Sequence, residues 1–405
     1  MSNWQKTTLG KVLHLGGGKI QTGPFGSQLH ASDYVTSGIP CIMPANMKNN
    51  RVNLSGIARI SEKDAKRLSQ HLVQKGDIVY SRRGDVTQKA LIGKSEVGYF
   101  CGTGCLLVRP GDAIDPEFLT YHLSTPINQN WIVKQAIGAT MPNLNTAILS
   151  AVPLNLPPHK EIQKKIAAVL SALDAKIDCN NRINAELESM AKTLYDYWFV
   201  QFDFPDANGK PYKSSGGKMV YNGALKRAIP QGWSIKQIGD YAEVLKGDLI
   251  TAKDAKDGSI KVVAAGIDFS YKHSESNRSK NTITISGSGA NAGFINFWRE
   301  PIFASDCITV RGATDIETLL LLYHLRFIQS HILNQATGSA QPHVYPGDIR
   351  GLAFVIPEDN LIGKFGKVAI PMNNQIAQNL AENQQLVQLR DWLLPLLMNG
   401  QVTVA

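Results

Sequence analysis

Residues 156–198, LPPHKEIQKKIAAVLSALDAKIDCNNRINAELESMAKTLYDYW, predict one long helix. Apolar side chains recur there at steps of three and four, the spacing of a narrow stripe that packs against another helix. Pro157 and Pro158 suit a first helical turn, and Glu161 suits its positive end. From Glu161 to Phe199 the helix would be about 58 Å long. We therefore expect it to act as a spacer as well as part of a core.

A second stretch near the C-terminus supplies a partner for this stripe. Residues 370–380, IPMNNQIAQNL, match residues 177–187, IDCNNRINAEL, at five positions. The paired asparagines are either solvated or include a buried residue that fixes register, and their recurrence at one place in the stripe favours the second interpretation. We expect the two helices to pair through Ile166, Leu173, Ile177, Asn180, Ile183, Leu187 and Leu194 on the first and Asn373, Ile376, Leu380 and Val387 on the second.

Composition indicates a globular protein of the cytoplasm. The chain has 405 residues, 43% hydrophobic and 19% charged, and its length allows two or three domains. No apolar run reaches the roughly 18 residues that span a bilayer, and the first residues show no apolar signal-peptide core. The five cysteines include no C-x-x-C pair and no zinc spacing. We expect free thiols, a cytoplasmic location, no metal and no membrane contact.

The net charge of +9 is concentrated in one stretch. Residues 48–94 contain eleven basic and four acidic side chains. A polyanion is a natural partner for such a segment, although a solvated surface would show the same charge. Charge alone does not decide between these two interpretations.

Residues 1–155 predict a first domain of mixed α and β structure, because short apolar runs alternate with Gly, Pro and Asn. A serine followed by acidic residues marks one helix start, and a proline marks another. The predicted strands are 39–43, 77–81, 90–93 and 105–109, and the predicted helices are 61–72 and 116–122.

The second half of the chain repeats the first. Residues 202–232 predict a connector rich in Gly, Ser, Lys and Pro, and Trp233 then opens a segment similar to the one that Trp4 opens. Residues 335–342, QATGSAQP, lie 200 positions after 135–142, QAIGATMP. The predicted strands are 260–264, 282–286, 293–298 and 307–310, followed by a helix over 317–334.

The offset between the halves falls from 200 to 193 across the long helices, so the second half has lost seven residues. Gly363, Gly366 and Pro371 disfavour helix, which predicts a second long helix over about 371–399. The predicted fold is α+β, with two similar mixed α/β domains and two long helices in an antiparallel coiled coil, a pseudo-two-fold internal repeat. The predicted segments are 1–155, 156–201, 202–232, 233–357 and 358–405.

Motifs for catalysis are weak or missing. Gly287–Gly293 has the spacing GxGxxxG before an alternating segment, which disfavours a dinucleotide or methyl-donor site. Gly16-Gly-Gly-Lys-Ile20 lacks the Ser or Thr of a phosphate loop. No G-x-S-x-G or H-E-x-x-H sequence occurs, and the only Pro-Pro is at 157–158. These absences favour a binding protein.

Candidate DNA contacts come from both halves. Lys and Arg neutralise phosphates, and Arg can also bond guanine O6 and N7. In the second half Ser and Asn could contact bases or could be plain turn residues. The candidates are Lys48, Arg51, Arg59, Lys63, Lys66, Arg67, Arg82, Arg83 and Lys89, then Lys272, Arg278, Lys280, Ser286, Ser288 and Asn291.

Three segments resemble a known family. Residues 156–167, LPPHKEIQKKIA, with 173–178, LDAKID, and 197–205, YWFVQFDFP, resemble the central conserved region of type I restriction-modification specificity subunits. Residues 389–400, LRDWLLPLLMNG, resemble their C-terminal conserved region. The resemblance extends over the entire chain in the same order.

The resemblance implies a protein with no catalytic centre. Each variable domain would be a target-recognition domain for one half of a split, asymmetric double-stranded DNA site. Two methylation subunits would bind the chain and supply S-adenosylmethionine, and restriction subunits would supply ATP-driven translocation with Mg and cleavage. A stand-alone DNA-binding protein such as a repressor, and an enzyme fused to its own recognition domains, are the alternatives.

Overall fold

The structure is a computed structural model that describes residues 4–138, 142–336 and 342–404. The chain divides into two compact units, Met1–Asp178 with Asn383–Ala405, and Cys179–Glu382. Both boundaries fall inside long helices, so each unit contains a part of both helices. The prediction from the sequence, in contrast, placed these helices in separate segments, 156–201 and 358–405.

The first unit combines twelve strands with five short helices in the part of the chain described. Its helices are α1 (Leu9–Leu15), α2 (Glu62–Arg67), α3 (Pro116–Leu123), α4 (Pro126–Gln135) and α5 (Thr146–Ser150). Its strands are β1 (Gln5–Thr8), β2 (Lys19–Thr22), β3 (Tyr34–Val35), β4 (Ile39–Ile42), β5 (Met47–Lys48), β6 (Arg51–Val52), β7 (Ala58–Ile60), β8 (Ile78–Ser81), β9 (Lys89–Leu91), β10 (Phe100–Cys101), β11 (Cys105–Arg109) and β12 (Pro153–Leu156).

The central sheet of the first unit has the antiparallel order β2-β11-β8-β9. Ile78 and Tyr80 of β8 enter one core cluster and Val79 enters another. Because successive side chains of a strand point to opposite faces, the sheet is covered on both sides. This explains why β8 and β11 are continuous apolar runs rather than alternating ones. All four strands predicted in this unit are confirmed, within one or two residues.

A second sheet, β10-β4-β7-β3, lies in the same unit. Ser61 caps α2 by accepting a hydrogen bond from the Asp64 amide, as the sequence predicted. The helix predicted over 61–72 is shorter than expected, because α2 ends at Arg67 and a separate 3-10 turn covers Ser69–His71.

Helix α6 (Lys160–Tyr195) has 36 residues and continues into a π-helical turn at Asp196–Val200. The long helix is therefore confirmed. Pro157 and Pro158 lie before its first turn rather than inside it, because strand β12 extends to Leu156 and the chain needs a short connection between strand and helix.

The second unit has eleven strands and four short helices among its described residues. The strands are β13 (Met219–Asn222), β14 (Arg227–Pro230), β15 (Ser234–Gln237), β16 (Ala242–Lys246), β17 (Ile260–Val263), β18 (Tyr271–His273), β19 (Thr282–Ser286), β20 (Ile295–Trp298), β21 (Ile302–Ala304), β22 (Cys307–Gly312) and β23 (Ala353–Ile356). The helices are α7 (Ile238–Tyr241), α8 (Asp315–Phe327), α9 (Gln329–Ala336) and α10 (Pro346–Arg350), followed by the long α11 (Asp359–Met398).

The central sheet of the second unit, β16-β22-β19-β20, is antiparallel throughout, like that of the first. Strand β17 pairs with β21 in parallel, as β4 pairs with β10. The same strand order therefore occurs in each unit. The four predicted strands are confirmed, whereas the helix predicted over 317–334 is divided into α8 and α9 at Ile328, whose ψ of 10° departs from helical geometry.

The segment 202–232 is not a plain connector. It contains the β13–β14 hairpin, and Phe202 and Ile229 are buried. The Phe204 ring stacks on Tyr212 at 4.6 Å and on Trp233 at 5.2 Å. The high Gly, Ser and Lys content of the segment predicted a connector, but its few scattered aromatic residues pack it against the rest of the second unit.

Helix α11 begins at Asp359, twelve residues before the predicted start near Pro371. Gly366 lies against Ile316, where an added Cβ would be 2.6 Å from Ile316 Cδ1. A residue that disfavours helix in isolation is thus required by packing. Pro371 lies inside the helix, and the buried Phe365 on its N-terminal side anchors this extension in the core.

Within each unit the two long helices contact each other. In the second unit Asn180 Nδ2 donates to Glu382 Oε2, and Asn379 Nδ2 donates to Asn184 Oδ1, both at 2.8 Å. In the first unit Arg390 donates to Asp174 Oδ1 at 2.7 Å. In the second unit, a residue further along α6 bonds a residue earlier in α11.

Several of the predicted helix-pairing residues are placed differently. Ile183 and Leu380 are each 41% exposed, and Asn373 bonds Arg299 and Asn281 instead of α6. Each long helix packs both on the other helix and on a domain, so its buried face is not the single stripe that the three–four spacing predicted. Asn184 and Asn379 therefore lie buried between the two helices. The remaining candidates are buried (Ile166, Asn180, Ile376) or half-buried (Leu173, Ile177, Leu187, Leu194, Val387).

Across the described ranges, no helix is both long and apolar enough to cross a membrane.

Candidate nucleic-acid interface

The loop that follows β8 carries Arg82 and Arg83, and backbone contacts fix its path. The Arg82 amide donates to the Gly104 carbonyl at 2.8 Å, and its carbonyl accepts from the Leu144 amide at 2.9 Å. Arg82 Nε also donates to Asn143 Oδ1 at 3.3 Å. Arg82 is half-buried while Arg83 is exposed. The loop therefore presents cationic side chains from a rigid backbone, which suits contact with phosphates or guanine edges.

The loop after β19 follows the same path in the second unit. The Gly287 carbonyl accepts from the Val344 amide at 3.0 Å, just as the Arg82 carbonyl accepts from Leu144. Ser288 forms a β-bridge with His343, and Arg83 forms the corresponding bridge with Asn143. One backbone arrangement thus carries two arginines in the first unit and glycine and serine in the second.

Asn143 and His343 were not singled out from the sequence, although their 200-residue separation continues the repeat of residues 135–142 and 335–342. Residues 139–141 and 337–341 of those segments lie outside the described residues. The repeat offset was the signal that could have identified this asparagine–histidine pair.

Most of the remaining basic candidates are on the surface. Lys48 and Arg51 pair across the β5–β6 hairpin, whose turn is formed by Asn49 and Asn50 at φ 51° and 59°. Two positive φ values are typical of a two-residue hairpin turn. Arg51 also pairs with Asp178 of α6 at 2.7 Å. The other exposed candidates are Lys63, Lys66, Arg67, Lys272, Lys280 and Asn291.

Some candidates are engaged in internal contacts. Arg59 donates to the Gly38 carbonyl at 2.8 Å, and Arg67 pairs with Asp64 at 2.9 Å. Arg278 donates to Thr309 Oγ1, to the Asn277 carbonyl and to the Lys246 carbonyl, at 2.8 to 3.0 Å. These side chains support loops at least as much as they present charge.

Three candidates have little access to a partner. Lys89, on the edge strand β9 of the central sheet, is 2% exposed. Ser286 is buried, and its hydroxyl donates to the Gly266 carbonyl at 3.0 Å. Ser288 is half-buried and donates to Asp306 Oδ2 at 2.7 Å. Lys89 and Ser286 are therefore wrong as direct DNA contacts, because both faces of the strands that carry them, β9 and β19, are covered.

Burial has a large effect on Lys89. Loss of water around the ammonium lowers its pKa to about 7, and the nearby Asp85 only partly offsets this effect. The ammonium lies 5.8 Å from the centroid of the Tyr80 ring. At neutral pH the side chain therefore carries a proton only part of the time.

Burial also shifts the pKa of several histidines and cysteines in the interior. Burial lowers the pKa of His122 and of His324 to about 4, which keeps both imidazoles neutral at pH 7. Burial raises the pKa of the Cys41 and Cys307 thiols to about 12, so that both stay protonated. Within the described ranges no group of three or more His, Cys, Asp or Glu could hold a metal ion.

Comparisons with known proteins agree with the sequence resemblance. Residues 1–189 and 230–380 match the family model of the type I restriction modification DNA specificity domain. The chain is 27% identical to the MjaIX specificity subunit of Methanocaldococcus jannaschii over 92% of this chain and 88% of that protein. It is 20% identical to the HindI specificity subunit of Haemophilus influenzae, over 84% and 89% respectively.

A solved structure shares the fold. The type I restriction-modification S subunit from M. genitalium aligns with a TM-score of 0.59 and 18% identity, covering 98% of this chain and 96% of that one. The family match extends over both units and most of the chain. The chain therefore belongs to the type I restriction-modification DNA specificity family and is a specificity subunit.

Proposed function

We propose that the chain recognises an asymmetric DNA site in two parts, one half with each unit. The observation that carries this proposal is the repeated central sheet, whose equivalent loops hold different side chains. Arg82 and Arg83 favour phosphates and guanine, whereas Gly287 and Ser288 leave a smaller and less charged surface. Two copies of one scaffold with different loops would bind different half-sites.

The long helices α6 and α11 would form an antiparallel coiled coil that fixes the distance between the half-sites. The bonds from Asn180 to Glu382 and from Asn379 to Asn184 support this pairing. A buried polar pair is suited to fixing register, because any slip would leave amides without partners. The length of the helices, rather than either loop, would then determine the spacer between half-sites.

Chemistry would come from other subunits in the cytoplasm. Two methylation subunits would bind this chain and transfer a methyl group from S-adenosylmethionine to adenine N6. Restriction subunits would add translocation and cleavage with ATP and Mg.

Methylation mapping by long-read sequencing tests the proposal. Deleting the gene for this chain should abolish N6-methyladenine at a two-part motif, and the intact chain should restore it. A Leu15→Ala chain is a matched control, because Leu15 is 80% exposed and lies away from both loops in sequence. Persistence of the motif after deletion, or a single uninterrupted motif, would contradict the proposal.

A further inference from the structure

Two large apolar side chains are exposed at equivalent positions of the two units. Phe25 is 53% exposed and Leu249 is 78% exposed. Each lies two residues after a glycine that follows the edge strand of the central sheet, Gly23 after β2 and Gly247 after β16. The Gly23 amide donates to the Cys105 carbonyl and the Gly247 amide to the Cys307 carbonyl, both at 2.9 Å.

The glycines fix where each loop leaves the sheet. A Cβ at Gly23 would lie 2.2 Å from the Gly102 carbonyl oxygen, and one at Gly247 would lie 2.0 Å from the Ser305 carbonyl oxygen. Each clash is with backbone, which cannot move aside as a side chain can. Both loops therefore begin from the same close approach of two backbones.

Hydrogen bonds beside the exposed residues hold the loops. The Phe25 amide donates to Gln28 Oε1 at 3.1 Å, and the Phe25 carbonyl accepts from the Gln28 amide at 2.8 Å. Leu249 lies between Asp248, whose amide donates to the Ala304 carbonyl at 3.0 Å, and Ile250, whose amide donates to Ser305 Oγ at 3.2 Å. The backbone positions of both side chains are therefore fixed before binding, so that little backbone entropy is lost when a partner binds.

Cationic groups accompany both side chains. The Arg82 guanidinium carbon lies 5.7 Å from the centroid of the Phe25 ring. In the second unit the exposed Lys246 directly precedes Gly247, and its carbonyl accepts from Arg278 at 3.0 Å. Cationic side chains beside apolar ones can combine a phosphate contact with an apolar contact to a base edge, which is what binding in a DNA groove requires.

We infer that Phe25 and Leu249 are specificity-determining residues that contact thymine 5-methyl groups in the major groove, one in each half-site. This inference rests on the proposed function, since it assigns residues to the same interface. The thymine methyl is the apolar group that a base pair presents in that groove, and apolar side chains distinguish it from cytosine.

The experiment selects bound duplexes from a random double-stranded pool with the full chain, comparing wild type with Phe25→Ala and Leu249→Ala. Phe25→Ala should lose thymine preference in one half of the motif and Leu249→Ala in the other. Affinity for the wild-type duplex should fall roughly fourfold, the value of one buried methyl group. Leu15→Ala and Val220→Ala, at positions 80% and 47% exposed, are matched controls that should keep the whole motif.

Uracil-containing duplexes isolate the methyl contact. Replacing the relevant thymine by deoxyuridine should weaken wild-type binding by the same factor as the alanine variant, and should not weaken that variant further. Phe25→Leu, which keeps an apolar side chain, should retain most of the preference.

The outcomes separate this inference from the proposed function. A two-part wild-type motif that both alanine variants leave unchanged, or that tolerates deoxyuridine throughout, overturns the inference and leaves the proposed function intact. Alanine variants that keep the motif but lose association with methylation subunits assign the residues to a protein contact, and also overturn it. A wild-type chain that selects no motif overturns both.

Discussion

Replacing Lys89 by Met tests whether the buried ammonium destabilises the folded chain and makes no contact with DNA. The side chain is 2% exposed, and burial lowers its pKa from 10.5 to about 7. Met has a similar length and carries no charge, so it should fill the same space. We expect the variant to be more stable than wild type at pH 7 to 8 and to bind DNA with unchanged affinity.

The pH dependence of the unfolding free energy gives the size of the expected difference between the two proteins. Between about pH 7 and pH 10.5 the unfolded chain keeps the Lys89 proton while the folded chain has released it. Unfolding therefore takes up a proton in this window, and wild-type stability rises with pH by about 1.4 kcal/mol per unit. The free-energy cost of burying Lys89 is largest below pH 7 and disappears above pH 10.5. The stability advantage of Lys89→Met over wild type should therefore shrink with the same slope from pH 8 to pH 10.

The assay is urea unfolding of both proteins at pH 8, 9 and 10, with the difference in unfolding free energy as the readout. Lys94→Met, at an exposed lysine of the same unit, controls for the loss of one charge. An advantage that stays constant over this range would show that Lys89 keeps its proton in the folded chain, and a variant less stable than wild type would show that the buried ammonium stabilises the fold. A clear loss of DNA affinity would show that Lys89 contacts DNA after all.

Three further outcomes follow from individual side chains. Changing Arg82 and Arg83 together to Ala should weaken DNA binding, and the slope of log affinity against log salt should fall by about 1 for each phosphate that is no longer neutralised, measured by fluorescence anisotropy. An unchanged slope and affinity would place both arginines away from the DNA. Gly363→Ala should stabilise α11 by about 1 kcal/mol, since nothing lies within 4 Å of the added Cβ, whereas Gly366→Ala should destabilise it by collision with α8. Equal thermal shifts for the two glycine variants would contradict this. Asn379→Leu removes the amide bonded across the long helices and should cost about 1–3 kcal/mol in urea unfolding, while an unchanged midpoint would exclude a role in pairing.

The sequence was sufficient for the elements whose signals are local. Strands β8 and β11 are apolar runs typical of a sheet covered on both faces, and the three–four spacing of α6 is sustained over 36 residues. The repeat of Trp4 and Trp233 and the 200-residue offset are enough, on the sequence alone, to indicate two related units.

The sequence was insufficient where long-range packing decides. Gly366 alone predicts a break in the helix, and only its packing against Ile316 explains why the helix continues through it. Lys89 alone predicts a surface charge, and only the pairing of the central sheet buries it. The exposure of Phe25 depends on a hydrogen-bonded loop that no pattern in the sequence specifies. Loops and helix starts were therefore less predictable than the sheets.

We propose above that each unit recognises its own half of the DNA site. Exchanging residues 1–155 for those of a relative with a different motif, followed by long-read methylation mapping, tests it most directly. One half of the motif should change, while the other half and the spacer stay the same. A change in both halves, or in neither, would contradict it.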